Sequence, residues 1–575
     1  MPKITSITAA VLLCGIAFAQ KPVAQLPQAT VDTTFNEPTG GTTWAAHTTA
    51  QFQTALTSAV PGDVIVLDAG TTYTGNFAVP AKGNFLVPAK GNPSGRWIYI
   101  QSSNLTALPM PGTQVSPSDA VNMPKIVTPN ASQALAFASG SSYVRVVGVE
   151  IYSASTYAPL NYTPGVYYGY MIVAIAGGWP FSLPIPDHII FDRCYIHGDS
   201  THDLQAGIQA NFSNFGLVDS YISDIHMKGT DTNAVGGFFT PGPMYIHNNH
   251  LEAAGENIIF GGSGKNADPW VPSDITITNN YLYKPLSWVP LSTGGNPAYD
   301  VKNAFECKSC QRVLFDSNVV QNVWAAAQLG FAIVLTVRTS QSGDIAVVND
   351  ITITNNRLNN VVSGVNTLAA DDQCGSPSYP NCNNPGSQDR WNIYNNLMLF
   401  YDPTITGGNR NLALSVNGGS NRLNDNTPGT LQDVVFQHNT TVSSASKACW
   451  NSIYFSSNGQ TPPFAVPLSS NLWILDNALC RQPTGDYGYQ GVDALSNYMP
   501  LPNTTPPYDV TQRYYGNVMW VQPEDEVQTF PTGNLSQTAA FTYVNPSGNN
   551  YQLLTPYWTQ TSDGLEAGID NSTLP

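Results

Sequence analysis

One short stretch of this weakly charged chain carries an acid and a base at alternate positions. Glu306 and Lys308 lie two residues apart in FECKSC, and Arg338 ends the next apolar segment, AIVLTVR. Residues two apart in a strand point to the same face, and neighbouring strands lie about 4.8 Å apart. If the two segments are adjacent strands, these three side chains are neighbours on one outward face.

These three residue types suit β-elimination on a uronic acid. A base must take the C5 proton, and a positive group or metal must neutralise the sugar carboxylate. We assign Lys308 as the base, with its pKa lowered by Arg338, and Arg338 as the carboxylate clamp. Glu306 would orient Lys308 or help to bind Ca²⁺. The alternative interpretation is a salt-bridged outer face with no catalytic role.

The alignment that joins these residues comes from a recurring second strand, and it sets Phe260, Phe305 and Leu335 in register. The outward positions that follow hold Gly261 with Ser263, Glu306 with Lys308, and Thr336 with Arg338. The recurring segments are Gly207–Asn211, Ala234–Phe239, Asn257–Gly261, Asn303–Lys308, Phe331–Arg338 and Leu412–Val416.

A polar corner precedes each of these strands. In SDITITNNYLY, Ser273–Tyr283, apolar residues stand five and three positions before Asn280 and two after it. Intervals of 26 to 45 residues between copies are typical of a solenoid with loops of different length. Asn at a fixed corner can bond backbone groups of the neighbouring coils, so we predict an all-β, right-handed parallel β-helix. The corner positions are Val149, Cys194, Ser220, Asn249, Asn280, Asn318, Asn356, Asn396, Asn439 and Asn477.

Composition supports this fold and excludes some partners. With 10% charged residues, 48 Gly and 43 Pro, the chain suits a solenoid with many turns. A net charge of −16 and a pI of about 4.7 argue against an electrostatic match to nucleic acid or to an anionic membrane surface. The same charge disfavours an acidic polymer, although a local basic patch can overcome it.

The N-terminus has the pattern of an export signal. Lys3 precedes an apolar run too short to span a bilayer, and Ala17-Phe18-Ala19 is a small-x-small cleavage site. We therefore expect a signal peptide at 1–19, a lead-in and cap with a short helix at 20–95, the β-helix at 96–480 and a C-terminal cap at 481–575, which could instead be a small domain. The expected protein is a secreted monomer, extracellular or periplasmic, without membrane insertion.

Seven cysteines would remain after cleavage. Cys374 and Cys382 bracket a polar loop and predict a disulfide, and Cys449 can pair with Cys480 across neighbouring coils. Cys307 and Cys310 have the spacing of a zinc or redox pair. Because the chain has no second CxxC, we interpret them as core or disulfide cysteines.

Two further segments carry a resemblance to a known family. The segment FQTALTSAVPGDVIVLDAGTTYTG, Phe52–Gly75, resembles the entry cap of pectin-lyase-like right-handed β-helix proteins, and the repeats resemble their coils. The tail DGLEAGID, Asp563–Asp570, is similar to the closing segment of secreted bacterial members. This resemblance implies the fold but no single activity, since the superfamily includes lyases, hydrolases, esterases and non-catalytic surface proteins.

The coils around Lys308 are loosely similar to the active-site coils of the chondroitinase-B and alginate-lyase group. In that group a Lys on one coil is the base and an Arg on the next is the clamp, around a calcium ion. AAGENIIFGG, FECKSCQRVLFDSNVV and AIVLTVR carry the similarity. The group also has a second acidic ligand where this chain has Ala304, and an RHG-like triplet that is missing after Arg338. Both departures leave calcium binding and catalysis open.

Other candidate residues offer weaker alternatives. Asp371–Asp372 could supply the paired carboxylates of an inverting glycosidase. The histidines and acids of His197–Asp203 are residue types that bind metals, but their spacing matches no known metal site. An outward aromatic column could stack on sugar rings as a substrate-binding strip, or it could be a packed exterior ladder. The column consists of Tyr195, Tyr221, His250 and Tyr281.

The sequence thus predicts a polysaccharide-acting protein, interpreted first as a lyase of uronate-containing glycans. A non-catalytic carbohydrate-binding or cell-surface structural protein is the first alternative. An inverting glycoside hydrolase is the second.

Overall fold

The structure is a computed structural model, and only part of the chain is described below. The described residues are 21–81, 97–154, 171–175, 184–262, 270–289, 299–338, 346–369, 387–400, 411–417, 430–443, 449, 452–456, 469–485, 490, 494–495, 513–520, 530, 533–538, 540–554 and 567–575. Within them the chain winds repeatedly through three long parallel sheets, named A, B and C in chain order.

Sheet A receives the first strand of each coil. Its described strands are Thr43–Ala46, Val64–Leu67, Ile98–Ser102, Ser142–Val147, Asp187–Asp192, Ser213–Val218, Met244–His247, Ser273–Thr278, Cys310–Asp316, Val348–Thr354, Ser387–Tyr394, Thr430–Gln437, Ser469–Leu475 and Tyr514–Tyr515.

Sheet B follows after a tight corner. Its described strands are Thr72–Thr74, Lys125–Thr128, Glu150–Ser153, Tyr195–His197, Tyr221–Ile225, His250–Ala253, Tyr281–Tyr283, Val319–Val323, Arg357–Val361, Leu397–Phe400, Thr440–Val442, Ala478–Leu479, Val518–Trp520 and Leu535–Gln537.

Sheet C completes the coil. Its described strands are Phe77–Val79, Leu135–Phe137, Met171–Ile175, Ala206–Gln209, Asn233–Gly237, Glu256–Phe260, Phe305–Cys307, Phe331–Thr336, Ser363–Leu368, Leu414–Asn417, Ile453–Ser456 and Thr484–Gly485. An antiparallel hairpin, Tyr543–Asn545 with Asn550–Leu553, lies outside the coils.

This architecture confirms the predicted right-handed parallel β-helix. Inward side chains of all three sheets fill one continuous apolar core, and the handedness is the one that parallel β-crossovers adopt. The helix expected near the start is also present as Thr49–Ser58, capped by Thr48, with Phe52 and Leu56 in the core. Short 3₁₀ turns occur at Leu105–Ala107, Pro117–Asn122, Leu286–Trp288, Pro546–Gly548 and Asn571–Thr573.

The predicted Asn ladder forms the corner between sheets A and B. The side chain of Asn280 donates to Asn318 Oδ1 at 3.0 Å, and Asn318 donates to Asn356 Oδ1 at 3.1 Å. The residue before each Asn, such as Asn279 with φ +56°, has the left-handed conformation that turns the chain. The ladder continues beyond the last copy recognised in the sequence, through Asn517 and Asn534.

We expect Asn318→Ala to destabilise the whole solenoid. The substitution removes the acceptor of the Asn280 backbone N–H and the side-chain donor to the Ile277 carbonyl, and a buried polar group left without a partner costs about 1–3 kcal/mol. Thermal unfolding should show a clear loss of stability. The exposed helix residue Gln53 serves as the control, and Gln53→Ala should be near neutral. Equal unfolding temperatures for the two variants would show that the ladder contributes nothing.

The polar lead-in crosses the outside of sheet A along the helix axis. It is held at Gln437 by Lys21, at Asp350 by the Gln25 amide and at Tyr99 by Asn36. Nine coil steps of about 4.8 Å separate Gln437 from Tyr99, roughly 43 Å, which an extended segment of this length can span. The lead-in therefore straps most of the coils together, a role that its sequence did not indicate.

Beneath this strap, several strands of sheet A have a charged residue in the left-handed conformation near their start. Arg312 Nε pairs with Asp274 at 2.7 Å, and Arg390 Nε pairs with Asp350 at 2.6 Å. Asp274 also accepts the backbone N–H of Gln28 at 2.8 Å. This ladder of alternating acids and arginines anchors the strap.

The cysteine predictions can be compared in part. Cys307–Cys310 and Cys449–Cys480 are disulfides, and Cys194 is free and buried. The Cys374–Cys382 prediction and the signal peptide at 1–19 lie outside the described residues. Among the helices that the structure describes, none has the length and apolar character to cross a bilayer.

Candidate functional site on sheet C

Three neighbouring coils of sheet C position the predicted residues. Glu306 is level with Ile259 on one side and Val334 on the other. The predicted register was therefore wrong by two residues on one coil: Phe260 pairs with Cys307 and Leu335, not with Phe305. A shift of two preserves the face, because side-chain direction repeats every second residue.

Lys308 and Arg338 lie on neighbouring coils and contact each other through their backbones. The Arg338 backbone N–H donates to the Lys308 carbonyl at 2.9 Å, and the Lys308 N–H donates to the Phe260 carbonyl at 2.9 Å. The Cys307–Cys310 disulfide brackets Lys308 and closes the turn that carries it. Lys308 is thus fixed at the edge of the sheet.

Glycines on the preceding coil make room for Lys308. A Cβ on Gly262 would lie 2.3 Å from Lys308 Cδ, and one on Gly261 would lie 2.5 Å from the Ser309 nitrogen. The aliphatic stem of Lys308 therefore rests against the backbone of Gly262. The glycines that end AAGENIIFGG shape the site, a role that their sequence pattern did not indicate.

The structure adds a second buried acid that sequence reasoning did not assign. Glu256, on the preceding coil, accepts from Asn233 Nδ2 at 2.8 Å, and its Oε1 lies 3.5 Å from Lys302 Nζ. Lys302 also pairs with Asp231 at 2.5 Å. Glu256 lies in the GEN of AAGENIIFGG, one of the segments that are similar to active-site coils of the lyase group. That similarity was the feature of the sequence that could have indicated a role for Glu256.

Glu306 and Lys308 form the second half of this arrangement. Lys308 Nζ lies 3.7 Å from Glu306 Oε1, and Asn303 Nδ2 donates to Glu306 Oε2 at 3.1 Å. Asp231, Glu256, Lys302, Glu306 and Lys308 are called the charged cluster below. A second acid does accompany Glu306, but on the adjacent coil and not on its own strand.

Burial divides the cluster into two layers. Glu256 and Glu306 are 0% and 2% exposed, whereas the side chains of Lys302, Lys308 and Asp231 are 14%, 21% and 43% exposed. Arg338 is half-buried beside Lys308. Solvent therefore reaches the Asp231 carboxylate and two ammonium groups, while Glu256 and Glu306 are closed off from it, and an anionic group could approach the ammonium groups.

The electrostatics correct one prediction. Burial alone would lower the pKa of Lys308, but the carboxylates of Glu306, Glu256 and Asp231 outweigh it and raise that pKa above its ordinary value. The prediction that Arg338 lowers the pKa of Lys308 is therefore wrong, because three nearby acids dominate the local field. Lys308 is an ammonium at neutral pH.

Glu256 is perturbed in the direction expected for a deeply buried acid. Burial, reinforced by Asp231 and Glu306, raises its pKa to about 8, although Lys302 and Lys308 oppose the rise. Its Oε1 has no hydrogen-bond partner within the described part of the chain. Glu256 is therefore largely protonated at neutral pH.

A buried lysine supports the corner from which Glu256 starts. Lys284 Nζ donates to the carbonyls of Ala253, Ala254 and Gly255 at 2.8, 3.0 and 2.6 Å. Burial lowers the pKa of Lys284 to about 7. Its three carbonyl partners make it a structural support of the site.

The residues present do not fit the calcium ion that the resemblance implies. Lysine amines already face the side chains of Glu256 and Glu306, and the amide of Asn303 donates to Glu306. Among the described residues no group of three or more His, Cys, Asp or Glu side chains converges as a metal site requires. No calcium-dependent step is derived below.

The predicted aromatic column lies on sheet B, not beside the charged cluster. Tyr195, Tyr221, His250 and Tyr281 do stack in coil order. The Tyr221 and His250 rings are 3.9 Å apart and almost parallel, so they cover each other's faces. Tyr195 and Tyr221 also pack against Leu108, Val115 and Met123. This arrangement favours the packed ladder over sugar stacking at those positions.

The remaining candidates are not joined to this site. His197 pairs with Glu150 at 3.0 Å and His202 with Asp199 at 2.7 Å, each as a separate pair. Ser263 and Asp371–Asp372 lie outside the described residues.

We expect Gly262→Ala to displace Lys308 without altering any charge. The new methyl group would overlap the Lys308 stem, and misplacement by about 1 Å can cost on the order of 100-fold in activity. The matched control is Gly40→Ala, which has the same left-handed backbone, φ +87° against +86°, but no atom within 4 Å of the added Cβ. If both variants bind and turn over a uronate polymer equally well, Gly262 does not position Lys308.

Comparisons with known proteins give limited information. No family model and no curated protein matches this sequence. Among solved structures, the PL6 family alginate lyase AlyGC has 13% identity and a TM-score of 0.47, over 93% of this chain and 58% of AlyGC.

Two other solved structures are similar at the same level. A mannuronic acid specific polysaccharide family 6 lyase from human gut microbiota has 10% identity and a TM-score of 0.43, over 92% of this chain and 97% of that one. Pectate lyase Pel9A has 14% identity and a TM-score of 0.35, over 74% and 82%. The fold is shown by the strand pairing described above, and the function proposed below is inferred from the residues of sheet C.

Proposed function

We propose that this protein is secreted, binds an acidic polysaccharide along sheet C and cleaves it by β-elimination. The carrying observation is that Lys302 and Lys308, two partly exposed ammonium groups, both lie beside the buried acid Glu256 in a chain with only 10% charged residues, and that the backbone of Arg338 is bonded to that of Lys308. A uronate carboxylate is the complement of such cations, because guanidinium and ammonium groups bind carboxylates with charge-assisted hydrogen bonds.

In the proposed reaction Arg338 holds the uronate carboxylate and Lys308 acts as the base. Neutral Lys308 takes the C5 proton, the electron pair forms the C4=C5 double bond, and the bond from C4 to the glycosidic oxygen breaks. The leaving oxygen takes its proton from solvent. Because the pKa of Lys308 is raised, the base form becomes populated only in alkaline solution.

A second candidate function is binding without cleavage. The raised pKa of Lys308 favours it, since an ammonium that is paired with Glu306 is a good anion ligand and a poor base near neutrality. The negative net charge suits a protein that holds a glycan weakly at one basic patch.

The test combines binding with product formation on alginate, pectate and chondroitin. The first function predicts absorbance from the unsaturated product, with a rate that rises from pH 7 toward pH 10. Binding without absorbance from an unsaturated product at any pH would support the second function and contradict the first. Absence of binding to all three polymers, with a folded protein, would remove both.

A further inference from the structure

The outward face of sheet C changes character on either side of the charged cluster. On the N-terminal side the column that contains Glu306 holds small or apolar residues next to it, Ile259 and Gly236, and then Gln209. On the C-terminal side the same column passes Val334 and reaches Asn366. Apart from Gln209, the polar residues of this column therefore lie on the C-terminal side of Glu306.

The polar side continues over several coils. Asn366 is level with Ser415, and Ser415 is level with Tyr454. In the adjacent outward column Asn417 is level with Ser456. Four coil steps separate Glu306 from Tyr454, about 19 Å along the axis.

These residues are suited to sugar hydroxyls and unsuited to carboxylates. Asn366, Asn417, Tyr454 and Ser456 are half-buried, and all four are uncharged donors and acceptors. Asn417 Oδ1 is buried and has no hydrogen-bond partner in the part of the chain that the structure describes. Beyond Arg338, the described strands of sheet C present no charged side chain outward.

We propose that the ligand is a heteropolysaccharide in which one acidic sugar is followed by neutral sugars. The acidic unit would lie at Lys308 and Arg338, and the neutral units would extend toward Tyr454 over the polar strip, defined as Asn366, Asn417, Tyr454 and Ser456. This inference deepens the proposed function and rests on it. The net charge of −16 supports this inference, because a polymer that is charged at every sugar would be repelled by the protein beyond the charged cluster.

The test compares oligosaccharides of equal length from gellan, which has one glucuronate among neutral sugars, and from alginate, which is uronate throughout. Binding is measured by calorimetry, with glucuronate alone as a third ligand. The variant Asn366→Ala/Asn417→Ala removes two polar groups, and Tyr454→Phe removes the hydroxyl while keeping the ring on the Phe331, Val334 and Leu412 cluster. Gln209→Ala, on the other side of Glu306, is the control.

We expect the gellan oligosaccharide to bind more tightly than the alginate one. The double variant should lose about tenfold in gellan affinity, since each hydrogen bond contributes about 0.5–1.5 kcal/mol, without changing the affinity for glucuronate. Tighter alginate binding, or unchanged gellan affinity in both variants, would overturn the heteropolymer inference. Glucuronate binding that is indifferent to Lys308→Met would overturn the proposed function itself, so the two failures are distinguishable.

Discussion

Lys308→Met is expected to abolish cleavage of uronate polymers and to weaken their binding. Loss of a general base typically costs 10²–10⁴-fold in rate, and loss of the ammonium removes one of the cations that solvent can reach. Methionine keeps most of the stem that packs on Gly262. Product absorbance at pH 10 and calorimetry at pH 7 measure the two effects.

The same substitution should also destabilise the fold. It leaves the Glu306 carboxylate, 2% exposed, without the cation at 3.7 Å. Breaking one partner of a buried pair costs about 3–5 kcal/mol. The double variant Lys308→Met/Glu306→Gln removes both charges and is the control for folding. Activity that returns in the double variant would mean that Lys308 acts only on stability.

Glu256→Gln is expected to stabilise the protein in alkaline solution and to leave it almost unchanged in acid. Because the pKa of Glu256 rises from 4.5 unfolded to about 8 folded, its protonated form contributes stability that is complete below pH 4.5 and lost by pH 8. The difference corresponds to about 5 kcal/mol. Glutamine retains a neutral side chain of similar shape at every pH.

Denaturant unfolding of parent and variant at pH 4 and pH 9 tests this expectation. Lys284 titrates in part of the same range with the opposite sign, since its folded pKa of about 7 lies below its unfolded value. It is present in both proteins, as are Asp231, Lys302, Glu306 and Lys308, so the difference reports Glu256 together with its effect on the pKa values of Lys284, Lys302 and Lys308. A variant that is less stable than the parent at pH 9 would contradict the raised pKa.

The coils could be predicted from the sequence because the Asn corner carries local information. Asn280, Asn318 and Asn356 each mark the same left-handed turn, whatever the length of the loops between them. The exact stacking of sheet C could not be predicted from the sequence, because the strand-to-strand offset depends on the loop that precedes Phe305. A pattern with period two permits shifts of two residues without penalty on either face.

Only part of the charged cluster could be predicted from the sequence, for a related reason. Lys302 and Asp231 lie in loops without periodicity, and they meet Glu256 only once neighbouring coils are stacked. The sign of the Lys308 pKa depends on those same distant acids. The strap of residues 21–37 has no apolar pattern, so its many contacts with sheet A could not be read from its residues.

The most direct measurement is a crystal structure of the protein with a glucuronate-containing oligosaccharide. The ligand should lie on the outward face of sheet C, with the uronate carboxylate within hydrogen-bond distance of Lys308 and Arg338 and the neutral sugars directed toward Tyr454. Ligand bound over the rings of sheet B near Tyr281, with sheet C empty, would contradict the assignment of Lys308 and Arg338 as the binding site.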